Sequence, residues 1–188
     1  MKQITIFFTV VFSLFFALHA GENEIENEQI NEQIEQVEQV TLSTIKGIEI
    51  SEFGFQVNAN QWGIETERDM SVMKTTIFKH NDKMLEAKVS NLKLKAPYEP
   101  YKQALLVGLK NGTLSSELAV EQDMTVNGIP VKFWQVNAVY KNGVSSVTLA
   151  LIYTGEKEVV QIFITAEESE FPALENQMRD FLFGFVRL

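Results

Sequence analysis

Residues 118–166 read LAVEQDMTVNGIPVKFWQVNAVYKNGVSSVTLALIYTGEKEVVQIFITA, and this stretch decides the fold. Leu118, Val120, Met124 and Val126 alternate with Ala119, Glu121, Asp123 and Thr125, the period of two expected of a strand with one buried face. Asn127-Gly128 follows, a dipeptide suited to the positive φ angles of a two-residue hairpin. Ile129 to Tyr140 is the return strand, with Pro130 at its entry, where a missing amide donor is tolerated. Asn142-Gly143 repeats the hairpin signal, and Val144 to Thr154 places Val147, Leu149, Leu151 and Tyr153 on one parity. Gly155-Glu156 then turns into Val159 to Ala166. Four consecutive strands joined by tight turns predict an antiparallel meander.

Upstream, the folded region is expected to begin near Thr44, with short strands at Ile45 to Ile50 and Phe53 to Val57. Trp62 follows in a predicted loop after Asn58-Ala59-Asn60, and Met70 to Phe78 has strand composition. In Met84 to Leu94, Leu85, Ala87 and Val89 share one parity while Leu92 and Leu94 take the other, which predicts a bulge near Ser90-Asn91. Pro97 to Lys110 is a predicted helix: Tyr101, Leu105 and Leu109 share a face, the prolines sit at its start, and Asn111-Gly112 ends it. Downstream of the meander, Phe171, Leu174, Met178, Phe181, Leu182 and Phe185 recur at spacings of three and four. They predict an amphipathic helix from Glu170 to Phe185, its apolar stripe lying on the sheet. The order of strands, helix, meander and helix predicts an α+β domain with an antiparallel sheet flanked by helices.

The N-terminal region is different in kind. Met1-Lys2 precedes an uncharged, mostly phenylalanine-, isoleucine- and valine-rich run that closes on His19-Ala20-Gly21, so residues 1–20 read as a secretory signal peptide. A retained anchor is the alternative, although the run is short of the roughly twenty apolar residues a span needs. No cysteine follows it, or occurs anywhere, which excludes a lipid-modified leader, disulfides and thiol catalysis. Residues 21–43 read as an acidic, low-complexity spacer: Glu22 to Val40 holds seven glutamates and no basic residue. From Thr41 onward there are eighteen acidic and fifteen basic residues, so the domain expected over residues 44–188 is near neutral, and no basic face calls for nucleic acid.

Several segments resemble the PsbP-like superfamily, which includes the photosystem II extrinsic subunit, a Ran-release factor of nuclear transport and exported bacterial proteins such as the DcrB-like group. They are Phe53-Gly54-Phe55 with Trp62, the helix from Tyr98 to Leu109, Val126-Asn127-Gly128-Ile129-Pro130, Val159 to Ala166, and the closing Phe181-Leu182-Phe183-Gly184-Phe185. Gly184 stands where that family often has serine. The resemblance spans about Ile48 to Val186 and implies a sheet sandwiched by helices. It implies no reaction, because members mostly act by binding other proteins, and it maps no site residue onto this chain.

The chemistry in the sequence is sparse. His80 sits in a Lys79-His80-Asn81-Asp82 turn and is expected to be exposed; His19 belongs to the leader. One domain histidine builds no zinc site, and no serine lies in a nucleophile elbow. No glycine-rich phosphate loop or dinucleotide fingerprint is present. Glu65/Glu67 and Glu156/Glu158 are spaced to share a strand face, but so near turns they read as solvated. Trp62 and Trp134 read as packing residues, and Asn111-Gly112-Thr113 matches a glycosylation sequon. Lys88, Lys93, Lys95, Lys102 and Lys110 are opposed in their span only by Glu99. They are the candidate partner surface, open to an acidic partner or to the chain's own acidic segment, with plain protection of a strand edge as the simpler reading. The expectation is therefore an exported, periplasmic or secreted, non-enzymatic domain without cofactor. It would bind a protein or envelope component, and would meet a membrane only if the leader is retained. The alternative is a small-ligand carrier or enzyme with a cavity between sheet and helix.

Overall fold

A computed structural model describes residues 45–50 and 52–188; the expected leader and acidic spacer lie outside the described residues. The strands are β1 (Ile45–Ile50), β2 (Phe53–Asn58), β3 (Trp62–Met70), β4 (Met73–His80), β5 (Glu86–Leu92), β6 (Thr113–Val126), β7 (Ile129–Tyr140), β8 (Ser145–Thr154), β9 (Val159–Glu167) and β10 (Phe185–Arg187). The helices are α1 (Tyr98–Gly112) and α2 (Phe171–Leu182). Seven strands form one antiparallel sheet in the order β3-β4-β5-β9-β8-β7-β6, and β1-β2-β10 form a small second sheet. The predicted meander is thus β6 to β9, and it makes up more than half of the large sheet.

Register assigns the two faces of the large sheet. Thr76, Val89, Ile162, Leu151 and Phe133 align across five strands on the inner face. One residue along, Lys88, Phe163, Ala150, Trp134 and Glu121 align on the outer face. The inner face is covered by α2 and the small sheet. Phe53 and Phe55 of β2, Phe181 of α2 and Phe185 of β10 are buried there among Phe78, Leu151 and Ile162. Ring centroids lie 4.7 Å apart for Phe55–Phe181 and 4.4 Å for Trp62–Phe181. The outer face is partly covered by α1, whose Tyr98, Tyr101, Leu105, Leu106 and Leu109 pack on buried Trp134, Val136, Ala150 and Ile152.

No side chain of α1 is fully buried, so polar contacts supplement its apolar ones. Trp134 Nε1–H donates to the Tyr98 hydroxyl at 2.7 Å, and that hydroxyl donates to Glu121 at 2.6 Å. Lys102 from the next turn of α1 reaches the other oxygen of Glu121, and the Tyr101 hydroxyl donates to Gln161 at 2.6 Å. Burial, reinforced by the bond to Glu121, pushes the Tyr98 phenol far above its usual range, and burial pushes Tyr101 up to about 12.

Several local expectations need correction. Trp62 opens β3 rather than sitting in a loop, and the pairing of β3 with β4 extends from Trp62 to Met70. No bulge occurs near Ser90: β5 pairs with β4 and β9 in unbroken register. The parity change arises because both faces of that strand end are covered, so Ser90 and Asn91 are both buried. Register shifts fall instead in β3, between Ile64 and Thr66, and in β6, between Thr113 and Ser115 and between Leu118 and Val120. The Leu118–Val120 shift is the one that separates two core residues, turning Leu118 to the α1 cluster and Val120 to the inner core. Asn127 (φ 49°) and Gly128 (φ 80°) form the expected two-residue turn, but the β7–β8 connection is a longer loop with only Gly143 at positive φ (84°). Finally, the last helix stops at Leu182, and Phe185 belongs to β10, which pairs with β2.

Candidate functional site

The two ends of the large sheet differ. At one end, the β4–β5 turn (residues 81–85) and the β7–β8 loop (residues 141–144) project beyond the sheet. Between them runs an open groove of about 610 Å³ lined by Lys79, His80, Lys83, Met84, Leu85, Glu86, Tyr140, Val144, Ser146, Thr165, Ala166 and Glu167. Glu86 and Thr165 are direct register partners, as are Ser146 and Glu167, so these outer-face positions set the floor. Met84 stands on one wall, 93 % exposed, and Tyr140 and Val144 stand exposed on the other. Ser146 is only 4 % exposed, and its hydroxyl has no hydrogen-bond partner among the described residues.

His80 closes one corner of the groove. It is buried rather than exposed, because the turn folds its ring edge-on against Trp62 at 5.0 Å. Its Nδ1 accepts the Asp82 backbone N–H at 3.1 Å, which assigns the proton of the neutral ring to Nε2. Desolvation lowers its pKa despite the nearby Asp82. No hydrogen bond joins His80 to Ser146 among the described residues.

The structure separates the five candidate lysines. Lys88 is exposed on the outer face of β5, and Lys93 and Lys95 are exposed in the linker between β5 and α1. Lys102 and Lys110 lie on α1, about 12 Å apart along its axis at 1.5 Å per residue. Lys102 is engaged by Glu121 of β6, four strands from Lys88 in the sheet order, roughly 19 Å at the usual strand spacing. The five therefore form no single patch. The carboxylate pairs also divide: Glu65 binds Lys79, while Glu158 is buried rather than solvated and accepts a hydrogen bond from the Asn91 side-chain amide. Trp62 and Trp134 are buried. The groove was not legible from sequence as a site. Its residues come from three separate segments, and the one local signal was the exposed apolar Met84 beside a polar turn.

No family model and no curated protein matches the chain. Among solved structures, it is similar to the solution structure of cyanobacterial PsbP (CyanoP) from Synechocystis sp. PCC 6803, with a TM-score of 0.58 and 11 % identity over 80 % of this chain and 96 % of that one. It is also similar to the crystal structure of PA94, a protein of unknown function from Pseudomonas aeruginosa, with a TM-score of 0.48 and 12 % identity over 72 % of this chain and 91 % of that one. The chain thus has a PsbP-like α+β fold, an antiparallel sheet flanked by helices.

Proposed function

We propose that this chain is an exported, non-enzymatic binding domain that takes a short segment of a protein partner into the groove between the β4–β5 turn and the β7–β8 loop. The observation that carries the reading is the placement of Met84, Tyr140 and Val144. Met84 stands out into solvent on one wall of a polar-floored groove, and Tyr140 and Val144 are each a little over a third exposed on the other. Exposed apolar surface gathered around a concavity is the usual mark of an interaction site. A flexible thioether on one wall and an aromatic ring on the other suit an apolar anchor between them. Lys83 of the β4–β5 turn, with Glu86 and Glu167 at the two sides of the floor, gives the groove both charge signs, which suits a peptide better than a simple anion or cation. Ser146 places an unpartnered hydroxyl at the floor, and a buried hydroxyl gains from a hydrogen-bond partner.

The packing between sheet and helices supports a surface site over a carrier's cavity. Phe53, Phe55, Phe78, Phe181 and Phe185 fill the inner layer, and Trp134, Val136, Ala150 and Ile152 fill the space beneath α1. Export rests on the reading of residues 1–20 as a leader. The test is affinity capture from the native envelope with the full chain and with its Met84→Glu and Val144→Glu variants. A component recovered by the parent and lost with both variants supports the reading; an identical set from all three refutes it.

A further inference from the structure

The end of the large sheet opposite the groove carries a second surface. The β3–β4 hairpin turns at Ser71-Val72, where Val72 is 62 % exposed and Met70 49 % exposed. The Lys93 backbone N–H donates to the Val72 carbonyl at 2.9 Å, which fixes the start of the β5–α1 linker against this turn. Leu94, 37 % exposed, therefore extends the apolar tip, and Lys93 and Lys95 flank it on the exposed linker. Lys74 lies two residues beyond Val72 and pairs in register with Asp69, the acid of the hairpin end. Among the described residues, no ion pair engages Lys74, Lys93 or Lys95. Glu156 and Lys157, exposed in the β8–β9 turn at the same end, offset one another.

We propose that this tip docks on an anionic lipid surface. Val72, Met70 and Leu94 enter the headgroup boundary, and Lys74, Lys93 and Lys95 meet the lipid phosphates. Apolar side chains projecting from a turn with basic residues around them match the chemistry of an interfacial lipid contact, in which apolar burial and attraction to anionic headgroups act together. An acidic protein would use the lysines but leaves exposed Val72 and Met70 unexplained. The strands between the two ends span eight residues in β4, about 27 Å at 3.4 Å per residue, so a docked tip holds the groove away from the lipid. The contact uses the folded domain itself and is independent of whether the leader is retained.

The absence of cysteine makes a site-specific test direct. In the full chain, Val72→Cys or Met84→Cys carries a single environment-sensitive fluorophore, and vesicles of phosphatidylcholine with and without 30 % phosphatidylglycerol are added. The label at position 72 should shift to the blue only with the anionic vesicles, and should lose the shift at high salt. The label at position 84 should not respond. On the scale of about fivefold per basic residue, Lys93→Gln with Lys95→Gln should lower the docked-to-undocked ratio roughly thirtyfold, whereas Lys110→Gln at the opposite end should leave it unchanged. Equal responses at both positions, or none at position 72, would overturn the proposal. So would a response at position 72 to polyglutamate without any response to vesicles, which would assign the tip to an acidic polypeptide. Because Met84→Glu should not alter the shift, failure of the groove reading and failure of this one are distinguishable.

Discussion

Two glycine-to-alanine substitutions should have opposite effects, and the difference probes how the chain is closed. Gly184 joins α2 to β10, and a Cβ built there would overlap the Gln56 carbonyl oxygen of β2. That atom is backbone, so relief requires the β10 segment to move from β2. Movement threatens the Gln56 N–H bond to the Gly184 carbonyl at 2.8 Å. It also threatens the two 2.8 Å bonds from the Asn127 side-chain amide to the Phe183 and Phe185 carbonyls. Each such bond contributes about 1 kcal/mol net, and full burial of a phenylalanine such as Phe185 contributes about 2 kcal/mol. Phe185 also packs on Phe53 at 5.1 Å and Tyr153 at 6.2 Å. Partial loss of these terms gives a destabilisation of about 3 kcal/mol for Gly184→Ala, or a fall in Tm of about 6–12 °C for a domain of this size. At Gly108 of α1, an added Cβ would meet nothing within 4 Å, so Gly108→Ala should raise stability by about 0.5–1 kcal/mol through helix propensity. Thermal unfolding followed by circular dichroism reads both. A Gly184→Ala protein melting within about 2 °C of the parent would refute the close approach of β10 to β2.

Tyr98→Phe should cost about 1–3 kcal/mol, because it leaves the fully buried Trp134 Nε1–H without an acceptor; urea unfolding measures it, and an unchanged midpoint would show that this bond does not hold α1. His80 has a folded pKa below the unfolded value of about 6.5. Its contribution to stability should be full above that value and decline as pH falls through 6.5 toward the depressed folded pKa. The Tm difference between pH 7.5 and pH 5.5 should therefore shrink in His80→Gln; an unchanged difference would contradict burial of the ring. In an alkaline titration read by phenolate absorbance, Tyr98 and Tyr101 should stay protonated through pH 11 while the chain remains folded, and their ionisation near pH 10 in the native state would contradict the packing of α1.

The meander was legible because period-two burial, Asn127-Gly128 and Gly143 all act locally. β3 was not, because it is an edge strand: Glu65, Glu67, Arg68 and Asp69 lie along it with little burial, and without a buried face alternation fades. β10 escaped because Phe185 stands three and four residues from Leu182 and Phe181, a helical spacing satisfied just as well by a turn that returns the ring to the same core. Gly184 carried the contrary signal, and only its proximity to Gln56 explains it. The Leu118–Val120 shift in β6 was hidden for a similar reason. Leu118 and Val120 share parity in sequence, yet an extra residue sends them to opposite faces. His80 read as exposed because its turn is polar, whereas burial came from Trp62, eighteen residues away in sequence. The groove and the lipid-facing tip each combine segments that only strand pairing brings together, so no motif announces either one.

The proposed division between a partner-binding end and a lipid-facing end is tested most directly by position-specific photo-crosslinking. The full chain would carry a photoreactive residue at position 84, 72 or 107 and be irradiated in its native envelope; Val107 is an exposed site on α1 outside both surfaces. A discrete protein adduct is expected from position 84, lipid adducts from position 72, and neither from position 107. The same protein adduct from all three positions, or no adduct from position 84, would contradict the division.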